Sequence, residues 1–330
     1  MVSLEIRDLR VQLGERFVLT VPDLAVADGE RISVMGPSGS GKSTLLRAIA
    51  GITPASGAIS VDDGPVEHLP PHRRGVGMVF QDYALFPHLD VGGNVGYGAR
   101  IAGLPTNERV ALTASMLELV GLTGFADRNV TSLSGGEQQR VAIARTLATK
   151  PSVVLLDEPM GALDTTLRST ILAELRRIFS GLTTSAVYVT HDRAEAFGFA
   201  DRIVVLDDGQ LVADATPTQL WNDPGTEFVA RLIGHETIVD GGFVGIAGSV
   251  VVPPSAVSLD DPVGPGIKAV GTVVGSVFDD GAHMVRVVLD RTAYHGEEPL
   301  RVVAESPAPG TVGATVGVRF DTDQLIRLSR

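Results

Sequence analysis

Cysteine is absent from this chain of 330 residues, which excludes disulfides, zinc–thiolate centres and cysteine nucleophiles. Lysine is nearly absent and occurs only as Lys42, Lys150 and Lys268. A lysine that falls inside a motif is therefore not one of a lysine-rich surface. Basic charge as a whole is in deficit: 27 Lys and Arg against 39 Asp and Glu leave a net charge of -12. That balance argues against a nucleic-acid partner, which calls for a basic face. Only 12 of the 39 acidic residues lie in 235–330, so there is no acidic tail and the excess reads as a solvated surface. The opening MVSLEIRDLRV lacks the basic and then apolar regions of a signal peptide. The uncharged stretch Gly241–Leu259 is long enough to suggest a membrane span, but Gly241, Gly242, Gly245, Gly248, Pro253 and Pro254 interrupt it. It reads as a strand ending in a turn, and the chain as soluble.

What is present is apolar: 44% hydrophobic residues can bury a sizeable core, and the length suits two domains. Residues 3–35 read as short strands, with apolar Leu4, Ile6 and Leu9, a β-rich Phe17–Val21 and a buried-type Arg31–Met35. A glycine-rich loop and a helix over about 42–50 follow, then a strand at Val76–Phe80. A helical pattern runs from about Asn107 to Leu147, with Val110, Leu112, Met116, Leu117, Leu119 and Val120 broadly on one face. Strands at 152–156, 186–190 and 203–206 then alternate with helices at 166–179 and from 194. Such alternation predicts an α/β core, with a helical insert at about 85–150. The texture changes near Gly234. Beyond it, Val-rich runs at 249–252, 269–274, 284–289, 300–303 and 315–320 are separated by Gly, Pro and Asp. That pattern predicts a small β-barrel or sandwich, with the domains expected at 1–234 and 235–330.

Gly36, Pro37, Ser38, Gly39, Ser40, Gly41, Lys42, Ser43 and Thr44 fit G-x-x-x-x-G-K-[ST] at every fixed position, after a strand and opening a helix. Glycines let the backbone wrap a phosphate so that several N–H groups point inward, and the positive end of the helix adds to the attraction. Lys42 would reach the β- and γ-phosphates of ATP, and the Ser43 hydroxyl would ligate Mg2+. Val153–Glu158 is an apolar strand ending in two carboxylates. Charge at the carboxyl end of a buried strand calls for a ligand. Asp157 would hold Mg2+ through water, and Glu158 would polarise the attacking water.

With those motifs in place, Leu133-Ser-Gly-Gly-Glu-Gln-Gln-Arg140 closely resembles the signature motif of ABC transporter nucleotide-binding subunits. Ser134, Gly135 and Gly136 precede a helix, so hydroxyl and N–H groups converge at its N-terminus. The resemblance implies that this motif caps the ATP held by a second subunit. It also implies that Gln81 senses Mg2+ and the γ-phosphate, and that Gly161–Asp164 runs along the dimer seam, with Asp164 near the nucleotide. His191 would contact the γ-phosphate, and Leu85-Phe86-Pro87 would receive the coupling helix of a membrane subunit. One position departs from the family: Leu13 stands where an aromatic usually stacks on adenine, with Phe17 nearby. Residues 235–330 resemble more weakly the OB-like TOBE regulatory domain of importers. Leu69–Gln81 is most like iron(III), thiamine and polyamine import ATPases.

The resemblance as a whole implies a P-loop ATPase domain with a helical subdomain and a C-terminal β-rich domain. It would act as a head-to-tail homodimer over two ATP and Mg2+, on integral-membrane permease subunits at the cytoplasmic face of the membrane. An extracytoplasmic solute-binding protein would be an indirect partner. The rivals are an exporter ATPase, against which the β-rich domain argues, and a soluble ABC ATPase acting on DNA or ribosomes. Against the latter stand a single P-loop, no sustained heptads and the acidic balance.

Overall fold

The computed structural model describes residues 1–14, 17–160, 165–279, 281–290 and 299–329, with only the backbone of 165–167. The chain separates into two units, Met1–Pro217 and Thr218–Arg330.

The first unit is built on a sheet whose strands are β1 (Val2–Leu13), β2 (Phe17–Ala27), β3 (Arg31–Met35), β4 (Ser56–Val61), β5 (Gly64–Pro65), β6 (Val76–Val79), β7 (Val153–Asp157), β8 (Ser185–Val189), β9 (Arg202–Asp207) and β10 (Gln210–Ala215). Their order is β5-β4-β1-β2-β10-β9-β3-β8-β7-β6. Strands β9, β3, β8, β7 and β6 run parallel, whereas β4, β1 and β2 pair antiparallel. Every residue of β7 and β8 is buried, as expected of parallel strands covered on both faces. Val154, Leu156, Ala186 and Tyr188 enter one core, while Val153, Leu155, Val187 and Val189 enter the other. Fully burying one such side chain stabilises by about 1.5–3 kcal/mol.

The helices of this unit are α1 (Lys42–Ile49), α2 (Val91–Val95), α3 (Tyr97–Ile101), α4 (Thr106–Leu119), α5 (Gly135–Leu147), α6 (Thr165–Ser180) and α7 (Arg193–Phe199). Helix α1 covers one face of the sheet through Leu45, Leu46 and Ile49. Helices α5 and α6 cover the other, through Val141, Ile143, Ile171, Leu175 and Ile178. The continuous helical pattern expected over 107–147 is broken in two. Gly121 and Gly124 turn the chain at φ 70° and 81°, and a loop with a 3-10 turn at Val130–Ser132 leads to α5. The inward set Leu117, Val120 and Leu122 continues across the break, which is why the apolar period hides it. In β1, Asp8 at φ 51° shifts the alternation, so that Leu4 and Ile6 before it and Leu9 and Val11 after it share one core.

The second unit begins with the helices α8 (Pro217–Asn222) and α9 (Glu227–Ile233). The division falls at the start of α8. Two antiparallel sheets follow, from β11 (Ile238–Asp240), β12 (Ser249–Val251), β13 (Val257–Asp260), β14 (Ala269–Asp279), β15 (Ala282–Leu289), β16 (Arg301–Ser306), β17 (Thr315–Phe320) and β18 (Ile326–Arg327). Their orders are β11-β12-β18 and β13-β17-β14-β15-β16. Val250, Val257, Val285, Val302 and Val318 share the core between them. The stretch Gly241–Leu259 folds as a 3-10 turn, β12, a second 3-10 turn at Pro254–Ala256 and part of β13. Among the described residues no helix is long and apolar enough to cross a membrane.

Candidate active site

The loop between β3 and α1 turns sharply at its glycines. Gly36 has φ 154°, and a Cβ there would lie 2.2 Å from the Leu206 carbonyl oxygen. Gly41 caps α1 at φ 104°, where a Cβ would meet the Phe17 ring at 3.0 Å. Only glycine fits both positions. Lys42 Nζ donates to the carbonyls of Gly36 at 2.9 Å and Pro37 at 2.8 Å. Burial lowers the Lys42 pKa, and the nearby carboxylates of Glu158 and Asp157 oppose that shift.

Strand parity explains the next contact. Val153 and Leu155 face the α1 side of the sheet, so Asp157, two residues on, faces α1 as well. The Ser43 hydroxyl donates to Asp157 Oδ1 at 2.7 Å. A buried carboxylate beside a hydroxyl is a pair of hard oxygen donors, which suits Mg2+. No cluster of three His, Cys, Asp or Glu occurs among the described residues. Mg2+ does not need one, because phosphates and water fill most of its shell. Glu158 leaves the strand at φ 42°, and its N–H donates to the Val189 carbonyl at 3.1 Å. His191 Nδ1 lies 3.5 Å from Glu158 Oε1.

The turn that carries His191 is fixed from behind. Buried Glu195 accepts from the Thr190 hydroxyl at 2.6 Å and the Tyr188 hydroxyl at 2.8 Å. Burial, with Glu195 beside it, raises the Tyr188 pKa well above its usual value. Asp192 caps α7 by accepting from the Glu195 N–H at 3.1 Å. Glu195 lies outside every motif read from the sequence. Its one signal is a carboxylate four residues after His191 on a face that turns inward.

Gln81 is exposed, two residues beyond the last residue of β6. Val79 pairs with Leu156, so Gln81 sits at the same sheet end as Asp157 and Glu158. Of the apolar trio, Leu85 and Phe86 are half-buried and Pro87 is exposed. Asn94, fully buried, brackets Phe86: it accepts from the Phe86 N–H at 2.8 Å and donates to the Phe86 carbonyl at 3.1 Å. No local pattern in the sequence singles out Asn94.

Ser134 caps α5 in a reciprocal capping box with Glu137. The Ser134 N–H and hydroxyl both donate to Glu137 Oε2, at 2.7 and 2.8 Å. These bonds hold the Glu137 pKa below the usual carboxylate range. The cavity over the phosphate loop, about 360 Å3, is lined by Leu13, Phe17, Ser38, Gly39, Gly41, Lys42, Ser43, Thr44 and Glu158. Ser134, Gly135 and Gly136 of the same chain do not line it. Asp164, with Gly161, lies outside the described residues.

Leu13 and Phe17 face one another across the β1–β2 pair, and both line the cavity. Phe17 therefore offers a ring directly opposite the position where the family's aromatic is missing. Phe17→Ala is expected to weaken ATP binding by about 1–3 kcal/mol, the range for a base stacked on an aromatic. Adding Leu13→Tyr to that variant should restore much of the loss. Titration of a fluorescent ATP analogue checks both; unchanged affinity in Phe17→Ala would remove the ring from the base site.

Residues 19–161 match the ABC transporter family. The chain is 41% identical to the Fe(3+) ions import ATP-binding protein of Streptomyces avermitilis, over 98% of both chains. It is 40% identical to the sulfate/thiosulfate import ATP-binding protein of Mycolicibacterium paratuberculosis, over 98% of this chain and 86% of that one. Among solved structures, a dimeric ATP-binding cassette in a post-hydrolysis state with ADP and Pi superposes with a TM-score of 0.56 at 31% identity. That match covers 65% of this chain and 98% of the other. The cbiO1 protein of Clostridium perfringens, part of an ABC transporter complex, matches with a TM-score of 0.61 at 27% identity, over 71% of this chain and 95% of that one. On these matches over nearly its whole length, this chain belongs to the ABC transporter family, as an ATP-binding subunit of the import type.

Proposed function

We propose that two copies of this chain close head to tail over two ATP molecules and drive import through membrane permease subunits at the cytoplasmic face. A separate solute-binding protein would deliver the cargo. Each site would take Lys42, Ser43, Gln81, Asp157, Glu158 and His191 from one chain. Ser134, Gly135 and Gly136 would come from the partner, and Asp164 from the seam. The observation that carries this reading is the phosphate-loop cavity, which holds Lys42, Ser43 and Glu158 but nothing of the same chain's signature helix. A second chain would complete it.

Within the site, Lys42 and the loop N–H groups bind and orient the phosphates. Ser43 and Asp157 would hold Mg2+, which supplies charge neutralisation on the phosphates. Glu158 accepts hydrogen-bonding from the attacking water, and His191, 3.5 Å away, fixes that carboxylate and reaches the γ-phosphate. Closure excludes bulk water, and hydrolysis releases the dimer. The half-buried Phe86 loop receives the permease. The β-rich second unit serves as a TOBE-like regulatory domain.

Relatives that match over nearly the whole chain carry Fe(3+) import in their names, which puts iron(III) first among the cargoes to test. ATP-driven uptake into vesicles holding the cognate permease, compared over iron(III), thiamine, polyamine and sulfate, tests the reading. One cargo should accumulate only with ATP and with this subunit. ATP-dependent efflux instead of uptake would overturn it.

A further inference from the structure

Three non-glycine residues near the active site have left-handed backbones: Tyr83 at φ 60°, Ala84 at φ 44° and Glu158 at φ 42°. Such a conformation is uncommon outside glycine and persists only where the surroundings hold it. Two adjacent examples in the loop after β6, and a third at the proposed water-polarising carboxylate, call for restraints that can be named.

The restraints come from two side chains. Arg145, in the last turn of α5, donates to the Ala84 carbonyl at 2.7 Å and the Tyr83 carbonyl at 2.9 Å. A rigid guanidinium fork can hold two successive carbonyls, whereas a lysine ammonium is a point charge that cannot match both. The same guanidinium lies 5.2 Å from the Phe86 ring centroid, so it also touches the proposed permease-facing loop. Tyr83 projects the other way. It is buried, and its hydroxyl donates to the Pro159 carbonyl at 3.1 Å. Pro159 directly follows Glu158. A continuous chain of contacts therefore runs from Phe86 through Arg145 and the Tyr83–Ala84 arch to the backbone that carries Glu158. Helix α5, which supplies Arg145, begins at the signature Ser134.

We infer that Tyr83 and Arg145 are positioning residues for hydrolysis: they hold the arch after β6 so that its tyrosine fixes the backbone of Glu158. The inference rests on the proposed role of Glu158. Neither residue lines the phosphate-loop cavity; their bonds are to the loop after β6 and to the backbone beside Glu158. Their loss is expected to appear in kcat and not in ATP affinity. A displacement of about 1 Å at a reacting group can cost about a hundredfold.

The test compares Tyr83→Phe, Arg145→Lys, Arg145→Ala and Glu158→Gln in the full-length protein. Readouts are kcat and KM for ATP, the thermal midpoint, and equilibrium ATP binding. Tyr83→Phe keeps the ring and its packing and removes only the hydroxyl. Its kcat is expected to fall about ten- to a hundredfold, with KM, ATP affinity and the thermal midpoint close to the parent values. Arg145→Lys should resemble Arg145→Ala in kcat, because the fork and not the charge is used. Normal kcat in Tyr83→Phe beside an inactive Glu158→Gln would overturn the inference and leave the role of Glu158 standing. A kcat loss matched by equal losses of ATP affinity and thermal midpoint would make Tyr83 merely structural and would also overturn it. Full turnover in Glu158→Gln would instead remove the carboxylate's role, and the inference with it.

Discussion

Lys42→Ala is expected to abolish ATP hydrolysis and to weaken ATP binding. The ammonium is buried and is held by the Gly36 and Pro37 carbonyls at 2.9 and 2.8 Å, so it is already placed inside the turn that a phosphate would enter. Burial lowers its pKa while Glu158 and Asp157 oppose the shift, and an arriving phosphate adds negative charge that favours the ammonium further. Removing it forfeits a charge-assisted contact worth about 1.5–3 kcal/mol, or about ten- to a hundredfold in affinity. A further loss of about a hundred- to a thousandfold in kcat follows from removing a preorganised charge aimed at the transferring phosphoryl group. Phosphate release and equilibrium nucleotide binding check the two effects separately. A thermal melt of the variant guards against a collapsed loop, since Lys42 also ties down two carbonyls. Turnover near that of the parent would remove the phosphate-loop assignment.

Much of the site was legible because its chemistry is local in sequence. The phosphate loop is nine consecutive residues, the paired carboxylates end one apolar strand, and Ser134 caps the helix that it opens. The parallel strands were legible for the same reason: their burial on both faces makes continuous apolar runs such as Val153–Leu156. The flanking strands β4 and β10 were not. Ser56–Val61 has three exposed residues at its start, and Gln210–Ala215 has no fully buried residue. Their pairing is decided by neighbours distant in sequence, not by their own pattern. Helices α2 and α3 are five residues each and hold three glycines between them. Tertiary packing holds both against their weak helix propensity, and the Asp90 cap adds to α2. Asn94, Glu195 and Tyr83 act through backbone or side-chain partners that only folding brings near. Arg145 left one trace: a charge inside the largely apolar run Val141–Leu147, where a half-buried guanidinium must find acceptors.

The proposed composite site makes opposite demands on two further variants. Glu158→Gln keeps the shape of the site and leaves Asp157 and Ser43 in contact, so ATP should bind and close the dimer while hydrolysis, which releases it, fails. ATP should then hold this variant as a stable dimer on a sizing column. Ser134→Arg places a bulky side chain where the partner's γ-phosphate must sit. That chain should bind ATP at its own phosphate loop and fail to close. The Ser134 side chain is exposed and bonds Glu137 within the capping box, so the fold should survive the change. Losing the cap costs about 1 kcal/mol of helix stability.

Purified mixed dimers of a Lys42→Ala chain with a Ser134→Arg chain test the central claim most directly. Each composite site draws Lys42 from one chain and Ser134 from the other. One site of the mixed dimer then carries both defects, and the other carries none. Phosphate release is the measurement. The account predicts hydrolysis well above that of either parent variant alone; phosphate release no higher than the parents', from mixed dimers that do form with ATP, would contradict it.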